Sequence, residues 1–323
     1  MMRIAITGAS GLLGGHLIDT FLQKGYSVIA VVRNPKPTLT KPGVEVRVAD
    51  VQDPLSLIEA FDGAEAVVHA AGFVSFNPRH RNKIFEVNVA GTAHAVNACL
   101  QLGIKKLIHI SSVAALGRKP GTVLNEDSKW IDVPASPYAV SKHRAELEVY
   151  RGAEEGLQVS VVNPSVIISG TTDRSSGALL NYVWHERPFY TDGILNYVDA
   201  RDVAEVVSLL TAAPRAGQRF ILNGGAVGYR EFFTQVAQRM NKKVPGWRLP
   251  ASLAWWAGAA EEFRSIILNR EPMVTRQSAA MTNQAFQYDT RRVVEDLGFT
   301  FRPLTDTLDW ACEAYRRNVT GNK

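Results

Sequence analysis

The chain has 323 residues, 46% of them hydrophobic, and a formal net charge of +5, which gives room for one large or two moderate domains with an ample core. Its basic residues are dispersed, the densest cluster being Arg79-His-Arg-Asn-Lys83, so the stripe and aromatic platforms of a nucleic-acid site are missing. Two distant cysteines, Cys99 and Cys312, argue against a disulfide framework or zinc, the apolar patch 249–260 is too short for a membrane span, and a first strand starting almost at Met1 leaves no space for a signal peptide, so a cytoplasmic protein is expected.

The first element is a β-favouring run, 3–7, that breaks into glycines at 8, 11 and 14 and then into an apolar-periodic helix through Leu17, Ile18, Phe21 and Leu22. Strand, glycine turn and helix together form a dinucleotide-binding signature. Gly8 lets the chain turn off the strand, Gly11 lets backbone N–H groups approach a pyrophosphate, and Gly14 lets the helix pack close to the sheet. The helix N-terminus then faces the phosphates with its partial positive charge. Further strands are predicted at 27–32, 44–48, 66–70, 106–111 and 158–163, with helices at 12–24, 54–61, 84–102 and 138–155. Near-continuous apolar strands joined by helices imply a parallel sheet covered on both faces, a doubly wound α/β fold of Rossmann type, with ligands beyond the carboxyl ends of the strands.

Nearly every one of those strand ends carries a candidate. After the second strand, Arg33 stands where an acid would accept from the ribose of NAD and an arginine would pair with the extra phosphate of NADP. Asp50, after the third, is an acceptor for an adenine amino group or else the cap of the helix that starts near Pro54. The fourth ends in His69-Ala-Ala-Gly72, small enough for the backbone to approach a cofactor ribose. Asn88, on the next helix, reads as a structural hydrogen-bonder. The fifth ends in Ser111-Ser112, and 26 residues later comes Tyr138-Ala-Val-Ser-Lys142. Tyrosine and lysine four apart share a helix face. An unperturbed phenol, with a pKa near 10, is a poor acid at neutral pH, and a neighbouring ammonium together with a positive nicotinamide would bring it towards the working range.

These motifs, namely Thr7-Gly-Ala-Ser-Gly-Leu-Leu-Gly14, Asp50-Val51, His69-Ala-Ala-Gly72, Asn88-Val-Ala-Gly-Thr92, Ser111-Ser112, Tyr138-Ala-Val-Ser-Lys142 and Asn163-Pro-Ser-Val166, resemble those of the extended short-chain dehydrogenase/reductase superfamily, the NAD-dependent epimerase/dehydratase family. Weaker counterparts lie in Tyr197-Val-Asp-Ala-Arg-Asp-Val-Ala204 and Tyr288-Asp-Thr…Leu297-Gly-Phe299. The resemblance implies catalysis by Ser112, Tyr138 and Lys142. It implies cofactor binding by Gly8, Ser10, Gly11, Leu12, Leu13, Gly14, Arg33, Asp50, Val51, Ala70, Ala71, Gly72, Tyr138, Lys142, Pro164 and Val166, with no metal. Dehydratases of this type carry Asp-Glu directly after the catalytic hydroxyl residue, whereas Ser112 is followed by Val113-Ala114-Ala115. Epimerases retain NAD and show an acidic ribose-binding residue, where this chain has Arg33. Val-Arg after the second strand and Phe73-Val-Ser75 are similar to dihydroflavonol reductases and hydroxysteroid dehydrogenase-like proteins. The expectation is an NADP(H)-dependent reductase of a small-molecule carbonyl substrate, NAD being the other cofactor considered. A nucleotide-sugar epimerase or dehydrogenase with NAD, and a non-catalytic dinucleotide-sensing regulator, are the alternatives.

Past Ser165 the alternation fades. Segment 169–177 reads as a polar loop, 178–185 as helical, 189–193 as a turn before a strand near Tyr197, 199–210 as a helix and 219–222 as the last strand, these elements returning to the sheet. The domain reading is a dinucleotide-binding domain at 1–170 and 194–227 and a smaller, discontinuous substrate-binding lobe at 171–193 and 228–323. Trp184, Phe189, Tyr190, Trp247, Trp255 and Trp256 fall in or beside that lobe, as pocket lining or as packing. A helix at 252–268 reads as a lid or a dimer contact, which leaves a homodimer open. The final helix, 306–318, shows one apolar stripe at 308, 311, 312 and 315. His16, His94, His109 and His143 have no metal-ligand spacing and read as core or surface histidines.

Overall fold

The computed structural model describes residues 2–75, 77–117, 121–131, 135–170, 176–212, 217–250 and 286–320. In chain order the first half runs β1 (Arg3–Thr7), α1 (Gly14–Gln23), β2 (Ser27–Val32), β3 (Val44–Val48), α2 (Pro54–Phe61), β4 (Ala66–His69), α3 (Arg81–Phe85), α4 (Gly91–Gln101), β5 (Lys106–Ile110), β6 (Val123–Leu124) and α5 (Pro137–Glu154). The second half runs β7 (Gln158–Pro164), β8 (Val166–Ile168), α6 (Ser176–Trp184), β9 (Phe189–Tyr190), β10 (Ile194–Asp199), α7 (Ala200–Ala212), β11 (Gln218–Leu222), β12 (Gly225–Gly228), α8 (Tyr229–Met240), β13 (Trp247–Arg248), β14 (Gln287–Tyr288), α9 (Arg291–Leu297) and α10 (Leu304–Thr320).

Seven strands form one parallel sheet in the order β11-β7-β5-β4-β1-β2-β3. Alternate side chains leave a strand on opposite faces. Ile4 and Ile6 therefore pack with Leu17, Phe21, Val203 and Val207 of α1 and α7, while Ala5 and Val67 pack on the other face with Leu57, Val96 and Val149 of α2, α4 and α5. Both faces are covered by helices, which makes this the expected Rossmann-type α/β sheet.

The helix expected at 84–102 is interrupted. Residues 86–90 widen into a π-turn between α3 and α4, and Asn88 lies within it. Such widened turns inside helices concentrate at functional sites because they swing one side chain off the regular face.

One expectation is corrected by the second half. The strand around Tyr197, β10, does not return to the main sheet; it forms a separate three-stranded sheet, β12-β10-β8. Nor is β11 the last strand, since β12, β13 and β14 follow it. The small sheet packs with α6, α8 and α10 around Ile168, Leu195, Tyr197, Phe232, Leu308 and Tyr315. The chain leaves the large sheet at Pro164 and enters the small one at Val166. It crosses again between β11 and β12, so the two sheets meet at the carboxyl ends of β7 and β11.

Candidate active site

The glycine turn is built by contacts that no side chain would fit. Gly8 has φ +69°, and a Cβ there would stand 2.8 Å from Ala70 O and Ala71 N at the end of β4. A Cβ on Gly14 would stand 2.3 Å from Ala9 O and 2.5 Å from Gly8 O. Gly14 is thus required by the turn's own backbone rather than by the sheet. Gly11 N donates to Gly8 O at 2.9 Å and closes the loop. Ser10 and Gly11 are exposed at its crest and Leu12 is half-buried, whereas the Leu13 side chain is in the core. No side chain caps α1, so its first N–H groups are free to meet an anion. A cavity of about 200 Å³ beside the turn is lined by Ser10, Gly11, Lys36, Thr38 and Lys41 among others. Arg33 is exposed beyond β2.

Asp50 does not cap α2. The cap is Asp53, whose Oδ1 accepts from Leu55 N at 3.1 Å and Ser56 N at 3.4 Å, while Asp50 Oδ1 accepts from Gln52 N at 3.0 Å. Proline at the first helical position needs its cap immediately before it. Val51 is buried beside them and its carbonyl meets His94 Nδ1 at 2.8 Å.

The ends of β4 and β5 and the start of α5 converge. Ser136 caps α5 by accepting from Ala139 N at 2.9 Å, and Pro137 opens the helix, which puts Tyr138 at its entrance, half-buried, with Lys142 one turn further on. Lys142 is buried and donates from Nζ to Ile110 O, the last residue of β5, at 2.8 Å. A Cβ built on Gly72 would lie 4.0 Å from that ammonium and 3.5 Å from Asn88 Oδ1, which places the Ala70-Ala71-Gly72 run against the Lys142 head. Ala70 and Ala71 are half-buried and Gly72 is exposed. Burial pushes Lys142 down to about 8, against the upward pull of the Glu146 carboxylate.

Ser112 lies two residues past β5, extended and half-buried. Its Oγ accepts from Ala114 N at 3.2 Å, which leaves its hydroxyl proton to be donated elsewhere. Asn88 reads Phe73 from both sides, accepting from Phe73 N at 2.7 Å and donating to Phe73 O at 3.0 Å, and it also donates to Ser141 Oγ at 3.0 Å. Ser141 in turn donates to Tyr138 O at 2.7 Å. Asn88 thus orders the segment after Gly72 and ties it to the tyrosine's turn of helix. Pro164 and Val166 flank the crossing between the sheets, and Ser165 between them buries an Oγ with no partner among the described residues.

Ser111, Ser141 and Asn163 were legible only as parts of motifs, and Glu146 lies in none of them. The one local signal for Glu146 is its place four residues past Lys142 on the same face of the helix. Below the site His69 and His109 stack at 5.5 Å, both fully buried. His69 is held between Thr7 Oγ1 at 2.9 Å and Thr92 Oγ1 at 3.2 Å. His16 meets Ser169 Oγ at 3.1 Å, and His143 stacks on Trp130 at 4.3 Å.

Beside the small sheet Trp184 packs against Tyr315, whereas Phe189 and Trp247, on the paired β9 and β13, are exposed. Tyr190 is half-buried and takes the Arg230 guanidinium over its ring. Trp255, Trp256 and the helix expected at 252–268 lie outside the described residues. Among the described residues no helix is long and apolar enough to cross a membrane.

The model of the NAD dependent epimerase/dehydratase family matches residues 4–223. Over nearly its whole length the chain is 27% identical to sterol demethylase protein B of Methylococcus capsulatus, covering 96% of this chain and 98% of that protein. It is 29% identical to a putative dihydroflavonol 4-reductase of Synechocystis, covering 94% and 93%, and 30% identical to cinnamoyl-CoA reductase 1 of Oryza sativa, covering 95% and 88%. The crystal structure of gox2253 superposes with a TM-score of 0.83 at 27% identity, covering 98% of this chain and 99% of that one.

Proposed function

The chain belongs to the NAD-dependent epimerase/dehydratase family, an NAD(P)-dependent enzyme of the extended short-chain dehydrogenase/reductase type, and from that premise we propose that it reduces a ketone or aldehyde to an alcohol with NADPH. The observation that carries this reading is the Lys142 ammonium, buried and anchored on Ile110 O, one helical turn from Tyr138 and at the end of the strand that leads to Ser112. An uncapped helix, a glycine turn shaped by backbone contacts and the orphaned Ser165 Oγ are what a dinucleotide would meet, and the residues fit one. Gly8, Ser10, Gly11, Leu12, Leu13 and Gly14 would hold its pyrophosphate through the backbone. Asp50 and Val51 would border the adenine, Ala70 to Gly72 the ribose, and Pro164 with Val166 the nicotinamide. Arg33, exposed just past β2, and Lys36, lining the cavity next to Ser10, supply the cations that a 2′-phosphate needs.

When bound, a reduced nicotinamide supplies the hydride. Ser112 donates its hydroxyl proton in a hydrogen bond to the carbonyl oxygen and fixes the carbonyl's orientation. Tyr138 gives its phenolic proton to that oxygen as negative charge develops there, and regains it from solvent. Lys142 holds a positive charge next to the phenol, which stabilises the phenolate, and orients the cofactor ribose. The sum is one hydride and one proton added across C=O. The small sheet with α6, α8 and α10 is the part that selects the substrate, and the reductase names among the relatives favour an apolar carbonyl over a sugar nucleotide.

The test is a steady-state screen of flavonoid-like ketones, steroid-like ketones, simple aldehydes and sugar nucleotides with NADPH and NADH. NADPH oxidation by one of the first three groups is the expected result. Turnover confined to sugar nucleotides with retained NAD would replace this reading with an epimerase or sugar dehydrogenase, and cofactor binding with no turnover on any group would replace it with a dinucleotide sensor.

A further inference from the structure

The proposed reaction leaves one fully buried carboxylate without a task. Glu146 is 0% exposed, on α5 one turn beyond Lys142. Its Oε1 accepts from Ser111 Oγ and, at 2.6 Å, from Asn163 Nδ2, and its Oε2 accepts from the Arg219 guanidinium. Those three donors come from β7, β11 and the end of β5, three neighbouring strands of the sheet. Asn163 Nδ2 also donates to Ser112 O at 2.9 Å. One carboxylate therefore grips the Ser111 side chain directly and the Ser112 carbonyl through Asn163, on either side of the peptide that presents Ser112.

Burying a charge is costly unless donors satisfy it, and packing alone would be served as well by an apolar side chain. Here three donors, the Arg219 guanidinium among them, answer the charge. Lys142, His143, Tyr150 and Arg219 face the carboxylate, and the Lys142 ammonium is faced in addition by His69 and His109, which burial keeps neutral. Against burial, the Glu146 carboxylate is the charged group that favours the ammonium form of Lys142.

We propose that Glu146 is a positioning residue for both arms of the catalytic group: through Ser111 and Asn163 it fixes the peptide that carries Ser112, and its negative charge balances the Lys142 ammonium. This rests on the carbonyl-reductase reading, and the two can fail separately.

The experiment compares Glu146→Gln, Glu146→Asp and Asn163→Ala with the wild type, using NADPH affinity, thermal melting, kcat/KM across pH, and the titration of 13Cε-labelled Lys142 by NMR, assigned with Lys142→Arg. In Glu146→Gln the high-pH limb of kcat/KM and the Lys142 titration should both move down by about one pH unit, a fall of about tenfold in activity beyond the limb, with NADPH affinity kept within about threefold. Glu146→Asp, which keeps the charge, should restore both midpoints. Asn163→Ala should lower kcat/KM about tenfold at every pH and leave both midpoints in place. A folded Glu146→Gln enzyme with wild-type kinetics and an unmoved Lys142 titration overturns the proposal. If Glu146→Gln does not fold, wild-type kcat/KM in Asn163→Ala overturns it and the uniform loss upholds it. If the wild type reduces no carbonyl, the reductase reading fails, and the Lys142 titration decides the Glu146 proposal alone.

Discussion

Alkaline pH should switch the enzyme off through Lys142. The ammonium is buried against Ile110 O, and burial pushes it from the ordinary 10.5 to about 8. A group with that midpoint is about nine-tenths charged at pH 7 and about one-tenth charged at pH 9. In the proposed mechanism the cation makes the Tyr138 phenol a competent acid, so kcat/KM should fall about tenfold over those two units and by about a decade per unit beyond them. Arginine stays charged throughout this range. Lys142→Arg, with a bulkier head in the same pocket, should therefore lower the plateau by about ten- to a hundredfold but carry the limb past about pH 10. The assay is initial rates of NADPH oxidation from about pH 6 to about pH 10, with thermal melts at each pH to show that the fold persists. A wild-type profile flat to pH 10, or a limb that stays near 8 in Lys142→Arg, would refute the assignment of that titration to Lys142.

Gly14→Ala would drive a Cβ to 2.3 Å from Ala9 O, a backbone atom that cannot yield cheaply; NADPH affinity should fall at least about tenfold and the melting temperature by several degrees, as calorimetry and fluorescence titration would show. Arg33→Asp removes the cation proposed for the 2′-phosphate, so the ratio of NADPH to NADH affinity should drop by about ten- to a hundredfold and invert; a wild type that already prefers NADH contradicts the role given to Arg33. The buried histidines make the fold sensitive to acid. Burial, with the Lys142 cation adding to it, holds His69 down to about 3, while in the unfolded chain it titrates near 6.5. Only the unfolded state takes up a proton between those values, so the stability is intact above about pH 6.5 and is lost as pH falls towards about 3. At pH 5 the loss from His69 is about 2 kcal/mol. His69→Gln, still able to bridge Thr7 and Thr92, should flatten melting temperature against pH between about 7 and 5, and an unchanged slope would count against that source.

The strand and helix periods carried most of the large sheet, because Ile4, Ala5 and Ile6 each have a face to fill and the glycines mark the one turn where a Cβ has no space. The places of Ser112 past a strand end and of Tyr138 and Lys142 on one helix were legible for a similar reason, since strand ends and helical spacing are local. What was not legible depends on partners distant in sequence. Val166–Ile168 and Ile194–Asp199 look like any apolar strand, and nothing in their composition says that they pair with each other rather than with the large sheet. The cap of α2, one of the two readings open for Asp50, is Asp53 three residues on, an aspartate the sequence reading did not consider. The π-turn that frees Asn88 leaves no mark in hydrophobic pattern. Glu146 reads as one more helix acid until Ser111, Asn163 and Arg219, brought from 17 to 73 residues away, close around it.

The most direct measurement is single-turnover reduction by Tyr138→Phe, paired with NADPH titration of the same variant. Loss of about a thousandfold or more in the hydride step, with cofactor affinity within about threefold of the wild type, is the expected result. A phenylalanine enzyme that still reduces its carbonyl at a rate close to the wild type's would contradict the claim that this phenol delivers the proton.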